Sequence, residues 1–134
     1  MSCMGFFRSI FSQEKNTVLL VEDDVPLRQF MAEQLTGRGL HVIETGDGSA
    51  ASQIIAEKQP DCVVLDVMLP GKNGMQILAE LRAVDTRTPV VVLTTLSGEG
   101  GLRLEAEKHN ATFLNKADTS LEAVIETVVK KLDR

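Results

Sequence analysis

Carboxylates follow two separate apolar runs in this sequence. The run 18–21 is followed by Glu22 and Asp23, and the run 62–65 is followed by Asp66. Carboxylates that are brought together repel one another and raise one another's pKa values unless a cation lies among them. A small set of hard oxygen ligands, with room left for water and phosphate oxygens, suits Mg²⁺. These acids therefore predict a Mg²⁺ site if the two runs lie side by side.

Asp66 is the residue around which the remaining chemistry can be arranged. A carboxylate beside Mg²⁺ can attack a phosphoryl group and become an aspartyl phosphate. Such a transfer needs in-line positioning and positive groups for the charge on the equatorial oxygens. Two further apolar runs lead to Thr94 and Lys116, which can supply a hydroxyl donor and an ammonium. We therefore interpret Asp66 as the reactive group, and Thr94 and Lys116 as its supports.

Each of these residues has an ordinary interpretation when it is taken alone. Acids after a strand often cap the next helix, and a single lysine is usually a solvated charge. A single aspartate at a strand end is more often a turn residue than a nucleophile. What favours a phosphoryl-accepting site is the set in this order, with each member at the end of an apolar run.

Short apolar runs bounded by turn residues predict buried parallel strands, and the segments between them show helical spacing. The predicted strands are 17–22, 40–45, 62–66, 90–93 and 112–115. The predicted helices are 24–37 (or 24–39, if Gly39 ends the first helix), 48–58, 75–84, 97–110 and 121–132. Five βα units with short connections predict an α/β fold with a right-handed, doubly wound parallel sheet. The carboxyl ends of its strands would meet at one edge, where such sheets place their sites.

Some of the predicted helices have clear capping residues, and one has only a weak helical pattern. Asp24 can cap the first helix, which has Pro26 in its first turn, and Thr119 or Ser120 can cap the last. The helix over 97–110 has the weakest pattern, because three glycines near its start disfavour helix by up to about 1 kcal/mol each.

Length and composition are those of one ordinary globular domain. The chain has 134 residues, 43% of them hydrophobic and 25% charged, which suits a soluble protein. A net charge of −5 gives no electrostatic reason to expect nucleic-acid binding. The two cysteines form no disulfide framework, no apolar run approaches the roughly 20 residues of a membrane span, and no secretory signal is present. We predict a cytoplasmic protein.

Residues 1–16 are predicted to form an N-terminal extension to a domain at 17–134. Phe6, Phe7, Ile10 and Phe11 are spaced so that a short helix would gather them on one side. The main interpretation is an extension that is flexible or folded back on the domain. The alternative is a weak membrane or partner anchor, because an apolar stripe with Arg8 suits an interface.

Four segments make the sequence resemble the receiver domains of two-component response regulators. They are VLLVEDD at 18–24, VVLDVMLPGKNG at 63–74, PVVVLT at 89–94 and FLNK at 113–116, and the resemblance extends over about residues 17–133. It implies a CheY-like fold with strand order 2-1-3-4-5. It also implies that Asp66 is the phosphoacceptor, charged by a histidine kinase or a phosphotransfer protein.

The resemblance further implies a ligand set for Mg²⁺. Asp23 and Asp66 would be direct ligands, Glu22 would act through water, and the backbone carbonyl of Met68 would complete the protein share.

The resemblance also implies a switch. Thr94 would be the hydroxyl that moves towards the phosphoryl group, with Lys116 as the ionic partner of that group. Phe113 would change rotamer with Thr94 and so alter the face built from helix 4, strand 5 and helix 5.

This chain departs from the family pattern at three positions. Ala117 stands where the family usually has proline after a cis bond, and we expect a trans bond and a rearranged loop, because a non-proline cis bond costs about 2.5–4 kcal/mol. Thr95 replaces a small residue, and we expect it to narrow access to the phosphoryl group. Phe113 lacks the hydroxyl of the commoner tyrosine.

The leading hypothesis is a stand-alone receiver, a phosphorelay switch whose output is contact with a downstream protein. We expect self-phosphorylation and slow dephosphorylation but no turnover of a separate substrate, no direct nucleic-acid binding, and a monomer or weak dimer. The alternative is a phosphate-independent interaction module. A third hypothesis, a Mg²⁺-dependent phosphohydrolase, is disfavoured because Met68 stands where a second catalytic acid would be needed.

Overall fold

Strands and helices alternate along the chain in the computed structural model, which describes residues 16–95 and 100–133. The strands are β1 (Thr17–Val21), β2 (His41–Thr45), β3 (Cys62–Asp66), β4 (Val90–Thr94) and β5 (Thr112–Asn115). The helices are α1 (Val25–Gly37), α2 (Gly48–Lys58), α3 (Gly74–Val84), α4 (Gly100–Lys108) and α5 (Leu121–Leu132). The predicted five βα units are therefore confirmed within the described residues.

The five strands form one parallel sheet in the order β2-β1-β3-β4-β5. This is the predicted α/β fold and the predicted strand order. Every residue of β3 and β4 is buried. Both faces of these central strands are covered, which explains why they are continuous apolar runs and do not alternate polar with apolar residues.

Two apolar clusters cover the two faces of the sheet. One cluster packs α2, α3 and α4 on the side chains of Leu19, Val21, Val63, Leu65, Val90 and Val92. The other packs α1 and α5 on the opposite side chains of the same strands, Val18, Leu20, Cys62, Val64, Val91 and Leu93. Successive residues of a strand point to opposite faces, so the single apolar run of each strand serves both clusters.

Polar side chains cap the N-termini of four of the helices. Asp24 accepts a hydrogen bond from the Leu27 amide at 3.1 Å, as predicted, and Ser120 caps α5. Asp47 and Asn73 cap α2 and α3 as well. Such caps satisfy amides that the first helical turn leaves unpaired. They also fix where each loop at the carboxyl edge of the sheet enters its helix.

The loop between β3 and α3 lies against backbone that leaves no space for side chains. A methyl group at Gly74 would lie 2.3 Å from the Asp66 carbonyl oxygen, and one at Gly48 would lie 1.8 Å from the Lys72 carbonyl oxygen. Glycine therefore allows the close approach at both positions, and the loop that follows Asp66 is held against the start of α2.

Two sequence predictions fall partly or wholly outside the described residues. The predicted start of the fourth helix at 97 does so, and the described part of α4 is Gly100–Lys108. The predicted extension at 1–16 does so for all but Asn16, whose carbonyl accepts a hydrogen bond from the His41 amide at 2.9 Å. Among the described helices, none combines the length and apolarity needed to cross a membrane.

Candidate functional site

The carboxyl edge of the sheet brings three acids together. Glu22 and Asp23 follow β1, and Asp66 ends the neighbouring strand β3. One carboxylate oxygen from each of these residues lies within 4.8 Å of the others. Glu22 and Asp66 are buried and Asp23 is exposed, so the cluster has a closed side and an open side. The predicted convergence of these acids is what the structure contains.

Lys116 lies inside this cluster and bridges two of the acids. Its Nζ is 2.6 Å from Glu22 Oε1 and 3.2 Å from Asp66 Oδ2. The second oxygen of Glu22 accepts a hydrogen bond from the Asp24 amide at 3.1 Å. Both oxygens of the Glu22 carboxylate therefore have donors, and the ammonium offsets part of the negative charge.

Lys116 keeps this position although Ala117 follows it. The described residues contain no cis peptide bond, so the Lys116–Ala117 bond is trans, as expected. The loop is held by Asn115, whose Oδ1 accepts a hydrogen bond from the Ala117 amide at 2.8 Å. The Lys116 amide donates to the Thr94 carbonyl at 2.8 Å and links the ends of β5 and β4. The unusual loop thus still directs the ammonium to the acids.

Asp66 is positioned by backbone as well as by Lys116. The Met68 amide donates to Asp66 Oδ1 at 3.2 Å, and the residue is 7% exposed. The Met68 side chain is 58% exposed. The Met68 amide therefore acts as a hydrogen-bond donor at this site, whereas the Val67 amide donates to the Leu93 carbonyl at 3.1 Å.

Burial and pairing change the titration of Glu22 and Lys116 in related ways. Burial raises the pKa of Glu22 above its ordinary value, and the hydrogen bonds from Lys116 and Asp24 only partly oppose this. Burial alone would lower the pKa of Lys116, but its hydrogen bond with Glu22 and the charge of Asp66 outweigh burial, and the pKa is raised. The folded protein therefore holds Lys116 charged and disfavours the Glu22 carboxylate.

Replacing Glu22 with glutamine is expected to leave the metal-free protein at least as stable as the wild type at pH 7. The folded-state pKa of Glu22 lies above its ordinary value of 4.5, so the ionised form is less favourable in the folded state than in the unfolded chain. The difference in the free energy of unfolding between Glu22→Gln and the wild type should shrink as pH falls through the folded-state pKa of Glu22. It should vanish below the pKa of Glu22 in the unfolded chain. Urea unfolding in EDTA at several pH values measures it. A Glu22→Gln protein that is clearly less stable at pH 7 would mean that the pairing with Lys116 outweighs burial.

The two predicted switch residues lie on neighbouring strands. Thr94 ends β4 and is fully buried, whereas Thr95 is exposed. Phe113 in β5 is 4% exposed and belongs to the apolar cluster beneath α2, α3 and α4. The Arg103 guanidinium of α4 lies 4.8 Å from the centre of the Phe113 ring. The aromatic side chain therefore points inwards, and it connects β5 with α4.

One residue beside the site was missed by the sequence analysis. The Arg28 Nη1 donates to the Glu22 carbonyl at 2.7 Å, and its Nε lies 3.4 Å from Glu44 Oε1. No pattern in the sequence separates Arg28 from an ordinary surface arginine, because its main partner is a backbone carbonyl.

Comparison with known proteins identifies the family of this arrangement. A family model described as the response regulator receiver domain matches residues 18–126. The DNA-binding response regulator MtrA of Mycolicibacterium smegmatis is 41% identical over 80 residues, which cover 60% of this chain and 35% of MtrA. The match thus spans about a third of the length of this relative.

Solved structures of receiver domains are similar over most of the chain. The BeF3-activated N-terminal receiver domain of Klebsiella pneumoniae RstA is 29% identical, with a TM-score of 0.75 over 88% of this chain and all of that one. The non-phosphorylated HemR receiver domain of Leptospira biflexa is 26% identical, with a TM-score of 0.80 over 90% of this chain and 96% of that one.

Proposed function

Since this chain belongs to the response regulator receiver family of two-component systems, we propose that it is a switch that accepts a phosphoryl group from a phosphohistidine onto Asp66. The single observation that carries the proposal is the position of Asp66. Its carboxylate lies among Glu22 and Asp23 and is 3.2 Å from the Lys116 ammonium. Carboxylates that could serve as nucleophile and as metal ligands thus lie together with a fixed ammonium.

The residues at the site fit a Mg²⁺ ion. Glu22, Asp23 and Asp66 offer hard carboxylate oxygens within 4.8 Å of one another, and exposed Asp23 leaves the open side for water and phosphate oxygens. We propose Asp23 and Asp66 as direct ligands, Glu22 as a ligand through water, and the Met68 carbonyl as a further oxygen. When bound, Mg²⁺ would offset charge on the phosphoryl oxygens.

The remaining chemistry falls to residues of this chain. An oxygen of Asp66 attacks phosphorus, the bond from phosphorus to the donor imidazole nitrogen breaks, and that nitrogen takes up a proton. Lys116 stabilises charge on the transferred group, as it now pairs with Asp66 at 3.2 Å. The Thr94 hydroxyl donates a hydrogen bond to another oxygen of the transferred phosphoryl group. The protein is itself the acceptor in this reaction and turns over no separate substrate.

The proposed output is a change at the face formed by α4, β5 and α5. Phe113 and Arg103 support this choice, because their ring and guanidinium lie 4.8 Å apart and link β5 to α4. Leu104 of α4 is 69% exposed and offers an apolar contact on this helix. A rotamer change at Phe113 that follows Thr94 would therefore reach a surface that a downstream protein can bind. A histidine kinase or phosphotransfer protein is the proposed phosphoryl donor.

Phosphorylation by acetyl phosphate tests the proposal directly. With Mg²⁺ present, intact mass should rise by one phosphoryl group, about 80 Da, and EDTA should prevent the gain. Beryllofluoride with Mg²⁺ should shift amide resonances near Asp66 and on the face formed by α4, β5 and α5. The absence of both responses would favour the alternative, a phosphate-independent interaction module.

A further inference from the structure

Arg28 lies beside the acidic site and is hydrogen-bonded to the turn that carries Glu22 and Asp23. Its Nη1 donates to the Glu22 carbonyl at 2.7 Å, and its buried Nε forms an ion pair with Glu44 Oε1 at 3.4 Å, without the geometry of a hydrogen bond. The side chain is 20% exposed. The hydrogen bond from this charged guanidinium to the backbone of buried Glu22 is of the strong, charge-assisted kind. Its position therefore suggests a role in the site.

Gly46, which follows β2, shapes the space that Arg28 occupies. A methyl group at this position would lie 2.7 Å from Arg28 Nη1, 3.3 Å from Asp23 Cα and 3.5 Å from the Glu22 carbonyl oxygen. The same small volume is thus bordered by the guanidinium and by the backbone of both acids. The methyl group of an alanine at position 46 would displace the end of the flexible Arg28 side chain. Its steric overlap with the Asp23 backbone would be smaller.

We propose that Arg28 is a positioning residue for the Mg²⁺ site, and that the absence of a side chain at Gly46 makes room for it. Arg28 touches neither the metal ligands' carboxylates nor the phosphoryl group. It acts through the Glu22 carbonyl, and so fixes the backbone from which the Glu22 and Asp23 side chains extend. Groups that orient metal ligands in this indirect way typically change metal affinity by about 10–100-fold when removed. The inference rests on the proposed function, because it assumes that the acids bind Mg²⁺.

Loss of the Arg28 charge and loss of its hydrogen bond should change Mg²⁺ affinity in opposite directions. Removing a positive charge beside a cation site would by itself strengthen Mg²⁺ binding, because like charges repel. Removing the hydrogen bond that holds the Glu22 carbonyl would weaken binding, because the two acids would lose their fixed geometry. The direction of the change in affinity therefore separates the two roles.

Mg²⁺ titration, followed by the amide resonances of Asp23 and Met68, measures this affinity without any phosphoryl transfer. We expect Arg28→Met and Gly46→Ala each to raise the Kd for Mg²⁺ by about 10-fold or more. Arg28→Lys keeps the charge but loses the guanidinium, and should also weaken binding. Arg38→Met is the matched control. It removes the same charge from the end of the same helix, where Arg38 pairs with Glu126 at 2.6 Å, and should leave the Kd unchanged.

Combining the substitutions tests whether Gly46 acts through Arg28. Gly46→Ala should weaken Mg²⁺ binding much less in the Arg28→Met protein than in the wild type, because the guanidinium that it displaces is already absent. Amide spectra of each variant without Mg²⁺ show whether the fold is retained, and Gly46→Ala and Arg28→Lys remain informative if Arg28→Met does not fold.

The outcomes distinguish this inference from the proposed function. If the wild type binds Mg²⁺ while Arg28→Met binds it equally or more tightly and Arg28→Lys matches the wild type, Arg28 is only a nearby charge and the inference is overturned. Independent, fully multiplicative effects of Gly46→Ala and Arg28→Met would overturn the link between them. A wild-type protein that shows no Mg²⁺-dependent shift would overturn the Mg²⁺ site itself, and the inference with it.

Discussion

Replacing Asp66 with asparagine is expected to abolish phosphoryl transfer to this protein. An amide is not a nucleophile towards phosphorus, and Glu22, the other buried acid, already has donors on both carboxylate oxygens. The substitution preserves size, and the Met68 amide can still donate to the side-chain oxygen. Lys116 keeps its partner Glu22 at 2.6 Å. The loss should therefore be one of chemistry and not of folding.

Intact mass after treatment with acetyl phosphate and Mg²⁺ measures this prediction. The matched control is Asp61→Asn, at the opposite end of the same strand, where the Asp61 carboxylate accepts a hydrogen bond from the Thr17 amide at 2.7 Å. That protein should gain a phosphoryl group as the wild type does. A persistent adduct in the Asp66→Asn protein would place the acceptor on another residue, and exposed Asp23 would be examined next.

Replacing Lys116 with methionine is expected to slow phosphorylation by about 100-fold or more, the usual effect of removing one group that stabilises developing charge. The Nζ of Lys116 is the described ammonium that contacts Asp66, at 3.2 Å. Methionine keeps much of the length of the side chain and removes the charge. The rate of the mass gain with acetyl phosphate gives the measurement.

Mg²⁺ affinity separates this effect from damage to the site. Lys116 competes with a metal ion for the carboxylates of Glu22 and Asp66, so its removal should maintain or strengthen Mg²⁺ binding while phosphorylation slows. Lys116→Arg keeps a cation and should lose less activity than Lys116→Met. A parallel fall in Mg²⁺ affinity would contradict the assignment, because it would indicate that Lys116 mainly holds the acids in place.

The sequence was sufficient to predict the strands and the acids at their ends. Buried parallel strands are continuous apolar runs, and the polar residue that ends each run must lie at the carboxyl edge of the sheet. Glu22, Asp23 and Asp66 could therefore be placed together before any coordinates were known. Lys116 could be placed near them, but its bridge between Glu22 and Asp66 depends on the loop at Ala117.

Arg28 and Gly46 could not be predicted, for a physical reason. Their contacts are with the backbone of Glu22 and Asp23, and every residue has a backbone. Gly48 was predicted as the first residue of a helix, whereas its absent side chain is needed because the Lys72 carbonyl lies where a methyl group would be. Contacts of this kind depend on how separate loops approach one another, and no local pattern records that.

The pairing of β1 with β3 also determines when during folding the acceptor site can form. Val18 pairs with Cys62, 62 − 18 = 44 positions later in the chain, whereas an antiparallel hairpin pairs residues only a few positions apart. Sheets dominated by such distant pairings have high contact order and fold slowly, because long loops must close before the strands gain from pairing. Asp23 and Asp66 stand at the ends of this distant pair. A partly folded or nascent chain that has not yet joined β1 to β3 therefore lacks the proposed acceptor site. We expect phosphoryl donors to act only on molecules in which these two strands have paired.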